Sequence, residues 1–222
     1  MANYRVKIRK IEPVTHNVHA FTVDKPAGFS YVPGQATDLS IWKEGWKAEK
    51  RPFTFTSLPE NETLEFTIKS YTDHDGVTNQ LAFLKPGDLL EISDAWGAIA
   101  YEGIGVFLAG GAGVTPFIAI LRNLYAQGKI GGNRLFFSNR TTKDIIGEAE
   151  FKKMLGENFF NLITDEPAPG FYQGRIDKSF LQQHIDHFDQ PFYVCGPDAF
   201  TSSTLEALKA LGAKPEALVF EK

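Results

Sequence analysis

Ile104-Gly105-Val106-Phe107-Leu108-Ala109-Gly110-Gly111-Ala112-Gly113-Val114-Thr115-Pro116 decides the fold. Its first part, Ile104–Leu108, is a continuous apolar run, as expected of a strand covered on both faces. Thr115–Gln127 then shows helical periodicity through Phe117, Ile118, Ile120, Leu121 and Leu124. A strand, a glycine-rich turn and a helix open a parallel-sheet layer. In such a turn the glycines let the backbone approach a pyrophosphate, and the helix N-terminus offers free N–H groups. The pattern is not the usual G-x-G-x-x-G, because Pro116 stands where the third Gly belongs. Thr115 suits an N-cap and Pro116 a first helical position. A tight turn with no ligand has the same signature.

C-terminal to this stretch, strands and helices alternate. The spacing predicts strands at Arg134–Phe137, Phe160–Thr164, Phe192–Cys195 and Ala217–Phe220, with helices at Glu148–Leu155, Lys178–His184 and Asp198–Leu211. That order means a parallel sheet with right-handed crossovers. N-terminal to it the chain reads as β, with strands at Tyr4–Ile8, His19–Val23, Ala36–Ile41, Arg51–Thr56, Leu64–Tyr71 and Leu89–Ser93. Turn signals separate them, among them Pro33-Gly34 and Pro86-Gly87-Asp88. Asp73-His74-Asp75 is expected to be a turn, and one helix, Val77–Leu84, is expected to start at Thr78. Many short strands suggest a barrel or sandwich. Two domains follow: an antiparallel β-barrel over residues 1–102, then a parallel-sheet α/β domain over residues 103–222.

Composition narrows the function classes. A net charge of −4 over 222 residues does not suggest a nucleic-acid binder. The 19 Phe suit packed cores and planar ligands. A single cysteine, Cys195, forbids an internal disulfide and any cluster needing several thiolates within this chain. A reduced, cytoplasmic setting is the default expectation. No stretch approaches the ~20 apolar residues of a membrane span, and the N-terminus has no apolar signal core. His16, His19, His74, His184 and His187 form no ligand pattern with carboxylates or Cys, so no metal is expected.

Three segments carry chemistry. In Arg51-Pro52-Phe53-Thr54-Phe55-Thr56-Ser57, alternation puts Arg51, Phe53 and Phe55 on one face and Pro52, Thr54 and Thr56 on the other. An Arg fork can clamp phosphate, an aromatic can cover a ring, and a hydroxyl can hydrogen-bond a ring nitrogen. Ordinary barrel wall has the same composition. At the end of the second parallel strand, Ser138-Asn139-Arg140 lacks the acid of a site preferring NAD. Arg140, joined by Arg175, could instead meet a 2′-phosphate, a lean toward NADPH. Solvated surface charge is the alternative for both. Val194-Cys195-Gly196-Pro197-Asp198 ends the fourth parallel strand, where open α/β sheets bind ligands. Cys195 could equally be a structural thiol.

These segments, in this order and together with Tyr31-Val32-Pro33-Gly34-Gln35, resemble the ferredoxin–NADP reductase superfamily over nearly the whole chain. The resemblance implies an FAD-binding barrel followed by a nicotinamide-nucleotide domain. In the flavin motif Arg51-Pro52-Phe53-Thr54, it implies that Arg51 binds the FAD diphosphate, Phe53 stacks on the isoalloxazine and Thr54 hydrogen-bonds flavin N5. Ile68 and Lys69 would border the flavin, and Gly76-Val77-Thr78 would hold the diphosphate. Thr115 matches the nicotinamide-nucleotide turn that also carries Gly113, Ser138 and Arg140 match the 2′-phosphate region, and Cys195-Gly196-Pro197 the segment flanking the nicotinamide. Glu221 matches a C-terminal acid, but the aromatic that plant-type members place after it is missing here. The implied activity is hydride transfer from NADPH or NADH to flavin N5, with Thr54, Cys195 and Glu221 at the reacting centre. Electrons would leave singly to a separate ferredoxin or flavodoxin; Lys43–Lys50 could be its docking loop, an FAD-adenine loop or a solvated loop with two packed Trp. A monomer is expected. The alternatives are the reductase component of an oxygenase or hydroxylase system, a free flavin reductase and a non-catalytic binding subunit.

Overall fold

The computed structural model describes residues 2–72, 75–97 and 99–220. Residues 73 and 74, within the expected turn, and Glu221 lie outside the described residues. Six antiparallel strands form the first sheet: β1 (Asn3–Thr15), β2 (Val18–Asp24), β3 (Ala36–Ile41), β4 (Arg51–Thr54), β5 (Thr63–Lys69) and β6 (Leu89–Ser93). Their order is β4-β3-β6-β1-β2-β5. The ring is brought together where the Thr56 N–H donates to the Glu65 carbonyl at 2.8 Å, so the architecture is a nearly closed barrel.

The barrel interior is aromatic. Phe55 is fully buried, stacked 4.3 Å from Tyr31 and lying 5.2 Å from the tilted ring of Phe66. The Tyr31 hydroxyl donates to the Ser57 carbonyl at 2.9 Å, and burial pushes its pKa up to about 12. β1 runs on past the expected end at Ile8. Its first half pairs with β6 and its second half with β2, across an irregularity at Ile8/Lys10. That break lets one strand serve two neighbours around the curve. Helix α1 (Val77–Leu81) is shorter than expected. Pro86 disfavours helical backbone before it, and Phe83 and Leu84 make three-residue turn bonds.

The second sheet is wholly parallel: β7 (Val106–Gly110), β8 (Arg134–Asn139), β9 (Phe159–Ile163), β10 (Tyr172–Gln173), β11 (Phe192–Cys195) and β12 (Leu218–Phe220). Its order is β10-β9-β8-β7-β11-β12. Helices α2 (Thr115–Ala126) and α3 (Glu148–Leu155) cover one face, while α4 (Lys178–His184) and α5 (Asp198–Ala210) cover the other. β7 is buried throughout, as its apolar run requires. Strand order reverses between β8 and β11, one on each side of β7. No helix among the described residues is long and apolar enough to cross a membrane.

Tight seams join the two layers. At Gly34 the backbone is left-handed (φ 96°), and a Cβ there would lie 1.9 Å from the Ile99 carbonyl oxygen and 3.0 Å from the Ile120 side chain of α2. The Tyr193 hydroxyl accepts from the Glu102 N–H at 2.9 Å and donates to the Gly103 carbonyl at 2.7 Å. That ring stacks 4.3 Å from Phe107.

Candidate functional site

A cleft of about 570 Å³ runs between the layers, at the carboxyl ends of β7, β8, β9 and β11. This is the topological switch point, where α/β sheets leave a crevice. The barrel supplies the opposite wall. Pro52, Phe53 and Thr54 line it from β4, and Thr67, Ile68 and Lys69 from β5. Three consecutive residues of β4 therefore meet the cleft, where strict alternation predicts two separate faces. β4 ends there: after Thr54 the chain leaves β3, and Thr56 bonds to β5 instead. Phe53 is half-buried, packing on the barrel core while also edging the cleft.

The floor is main chain. Gly110, Gly111, Ala112 and Gly113 pass under the cleft from β7. Gly111–Val114 winds as one 3-10 turn directly into α2, so Val114 and not Thr115 is the N-cap. Thr115 and Pro116 still line the cleft. A Cβ on Gly113 would lie 2.4 Å from the Cys195 carbonyl oxygen, and one on Gly196 would lie 2.6 Å from the Phe200 ring. Here glycine is required by close approach, because the ends of β7 and β11 touch through their backbones. Cys195, Gly196, Pro197 and Phe200 complete that side. Pro197 is the N-cap of α5 and Asp198 its first residue.

The outer end is polar. Ser138, Asn139, Arg140, Asp144 and Thr164 line it. Arg140 donates through Nε to Asp165 Oδ2 at 2.7 Å, and Thr164 Oγ1 donates to Asp165 Oδ1 at 2.7 Å. Those bonds hold the Asp165 carboxyl below the usual carboxylate range, with the Thr164 hydroxyl the leading cause and the charges of Arg140 and Arg175 adding to it.

The structure thus brings together most of the residues expected from sequence. The exceptions have identifiable causes. Arg51 stands off the cleft, its guanidinium donating to the Lys50 carbonyl at 2.7 Å and lying 3.6 Å from Glu49. Val77 is buried in the barrel core, and Gly76 is the extended N-cap of α1, leaving Thr78 to reach the cleft. Arg175 lies outside the lining, near Asp165. Sequence reasoning missed Asn139, Asp144, Thr164, Tyr71 and Phe200. A signal existed for Thr164, which follows a parallel strand directly. The others are placed by tertiary packing.

The donor set suits a dinucleotide and a flavin. Asn139 is only 4% exposed, yet its amide oxygen and nitrogen find no partner among the described residues. A buried amide in that condition is costly unless a ligand satisfies it. The bare glycine floor, the hydroxyls of Thr54, Thr78 and Thr115, and the Lys69 ammonium offer what phosphate and ring heteroatoms need. Among the described residues no group of three His, Cys, Asp or Glu could hold a metal ion.

Comparison with known proteins agrees with this geometry. Residues 3–87 match an FAD-binding domain family and residues 107–206 an oxidoreductase NAD-binding domain family. The chain is similar to the reductase component of propane 2-monooxygenase from Rhodococcus jostii, 25% identical over 98% of this chain and 63% of that protein. It therefore spans less than two thirds of that relative's length. An NADH-cytochrome b5 reductase 2-A from Vanderwaltozyma polyspora is 28% identical, over 88% of this chain and 72% of its own. In fold, the chain is similar to a ferredoxin NADP+ reductase from Neisseria gonorrhoeae solved with bound FAD and NADP. The TM-score is 0.87, with 20% identity over 100% of this chain and 98% of the other.

Proposed function

We propose that this chain, whose residues 3–87 and 107–206 match FAD-binding and oxidoreductase NAD-binding domain families, is a reductase of the ferredoxin–NADP reductase-like superfamily that passes electrons from a nicotinamide coenzyme to a one-electron carrier protein. The observation that carries this reading is the shared cleft, which has the flavin motif on one wall and the nucleotide turn on the other. When bound there, FAD and the coenzyme supply hydride transfer to flavin N5 followed by single-electron release. The chain's own residues bind, orient and shield. Pro52, Phe53, Ile68 and Lys69 border the flavin, while Gly113, Thr115, Gly196 and Pro197 receive the dinucleotide. The Thr54 hydroxyl meets N5, and Cys195 flanks the nicotinamide. Thr78, with the backbone of Gly76 and Val77, receives the FAD diphosphate. Arg51 joins it only by leaving the Lys50 carbonyl.

This reading divides the chain at 102/103 into an FAD-binding domain and an NAD(P)-binding domain. Ser138, Arg140 and Arg175 form the 2′-phosphate region. Because Asp165 already engages Arg140, NADH is accepted at least as well as NADPH. The carrier is a ferredoxin or flavodoxin, and the protein acts as a monomer. Delivery to an oxygenase through such a carrier is the second reading, favoured by the likeness to a monooxygenase reductase component.

The test is anaerobic stopped-flow absorbance of the flavin-loaded protein against NADH and NADPH in parallel. Rapid bleaching by NADH, with bleaching by NADPH no faster, is expected. Bound FAD that neither coenzyme bleaches would overturn the reductase reading. FAD that is lost on gel filtration would instead indicate a free flavin reductase.

A further inference from the structure

Arg122 lies seven residues beyond Thr115 on α2. At about 100° per residue that is two turns along the same helix face, roughly 10 Å from the cleft end of the helix. Its guanidinium is engaged on two sides. Nε donates to Glu150 Oε1 at 2.7 Å and Nη2 to Glu150 Oε2 at 3.0 Å, a bidentate fork within the α/β layer. Nη1 reaches the other way. It donates to the Thr56 carbonyl at 2.6 Å and to Glu65 Oε1 at 2.7 Å, both on the barrel.

The barrel side of this joint continues into the cleft wall. Glu65 Oε1 also accepts from Thr56 Oγ1 at 2.9 Å, and Thr56 Oγ1 lies 3.1 Å from Thr67 Oγ1. Thr67 lines the cleft, and Thr56 follows Thr54 by two residues. The joint therefore ties the segments bearing Thr54 and Thr67 to the helix bearing Thr115. A guanidinium stays charged at any working pH, and the two carboxylates raise its proton affinity further, against its burial.

We infer that Arg122 is a positioning residue: the fork to Glu150 orients the guanidinium so that Nη1 fixes the barrel wall of the cleft relative to the nucleotide wall. This rests on the reductase reading above. Ring-to-ring transfer depends steeply on placement, and a misplacement of about 1 Å can cost a hundredfold. Electron exit from the flavin needs no such register between the two walls. Loosening the joint should slow only the coenzyme-to-flavin step.

The experiment uses the FAD-loaded protein and three variants, Arg122→Met, Glu65→Gln and Glu150→Gln. Three quantities are read: the limiting rate of flavin bleaching at saturating NADH, the rate at which ferricyanide reoxidises dithionite-reduced protein, and Tm. In Arg122→Met the bleaching rate should fall about 10- to 100-fold while reoxidation stays within about twofold of the parent. Glu65→Gln, which weakens only the barrel side, should reproduce much of that loss. Glu150→Gln should lose less. Arg122→Met and Glu65→Gln combined should be no slower than Arg122→Met alone, as for two ends of one contact. If Arg122→Met fails to fold, Glu65→Gln carries the test. Unchanged bleaching in a folded, FAD-retaining variant overturns the inference, as does an equal fall in both rates that follows Tm. A parent protein that NADH cannot bleach overturns the underlying reading instead.

Discussion

Asp165 turns Arg140 from a free cation into half of an ion pair at the outer end of the cleft. A phosphate arriving there would compete with a carboxylate for the same guanidinium and meet its negative charge. Asp165→Asn should therefore raise kcat/KM for NADPH about three- to tenfold, a modest gain suited to an exposed pair, and leave kcat/KM for NADH within twofold. Steady-state rates with both coenzymes check this. The Asp165 pKa is depressed, so the pair is intact above the ordinary carboxylate pKa near 4 and is lost only as pH falls through the lower folded value. The pair itself should then add no pH dependence to coenzyme preference between about pH 7.5 and 9, where the 2′-phosphate, whose second pKa is about 6, is also fully ionised. At the flavin wall, Thr54→Val keeps shape and removes a hydroxyl. It should slow flavin bleaching by about 10–100-fold, or roughly 1.4–2.8 kcal/mol of barrel-side transition-state stabilisation, with FAD retained.

Elements were the most legible part of the chain. The buried run of β7 and the periodicity of α2 announce themselves because burial on both faces or on one stripe leaves a compositional trace. β10 left none: two residues, Tyr172 and Gln173, added parallel to the end of β9, carry too little pattern to read. The turn between β7 and α2 was legible as glycine-rich, but its 3-10 winding was not, since the choice between turn forms depends on the approach of β11. That approach yields a prediction. Gly113→Ala places a methyl 2.4 Å from the Cys195 carbonyl oxygen. The end of β11 must shift, so coenzyme affinity should fall at least about tenfold, while the FAD spectrum, set by the barrel, changes little. Titration of bleaching rate against NADH concentration measures it.

At the scale of the whole molecule, the barrel core sets stability and the joint between layers sets register. Phe55→Ala empties a fully buried site between Tyr31 and Phe66. It should cost about 3–5 kcal/mol, read as a lowered urea midpoint with an unchanged slope. Phe55 was not readable as an interior residue: alternation put it on the face of Arg51, which is exposed, and its burial follows from β4 ending at Thr54. Arg122 was not readable as a link, since its partners lie 57 and 28 residues away in sequence and no local pattern encodes such distances. Asn139 was equally opaque, because its isolation is a property of the packed cleft. The main-chain floor of that cleft has a consequence for how such a protein can diverge. Where Gly110, Gly113 and Gly196 meet without side chains, substitution has no vocabulary: any added carbon collides with a neighbour. Variation is confined to the rim, at Arg140, Asp165 and the segments beside them. On the proposed reading, a lineage or an engineer could thus rewrite which coenzyme enters while leaving the grip on its diphosphate untouched.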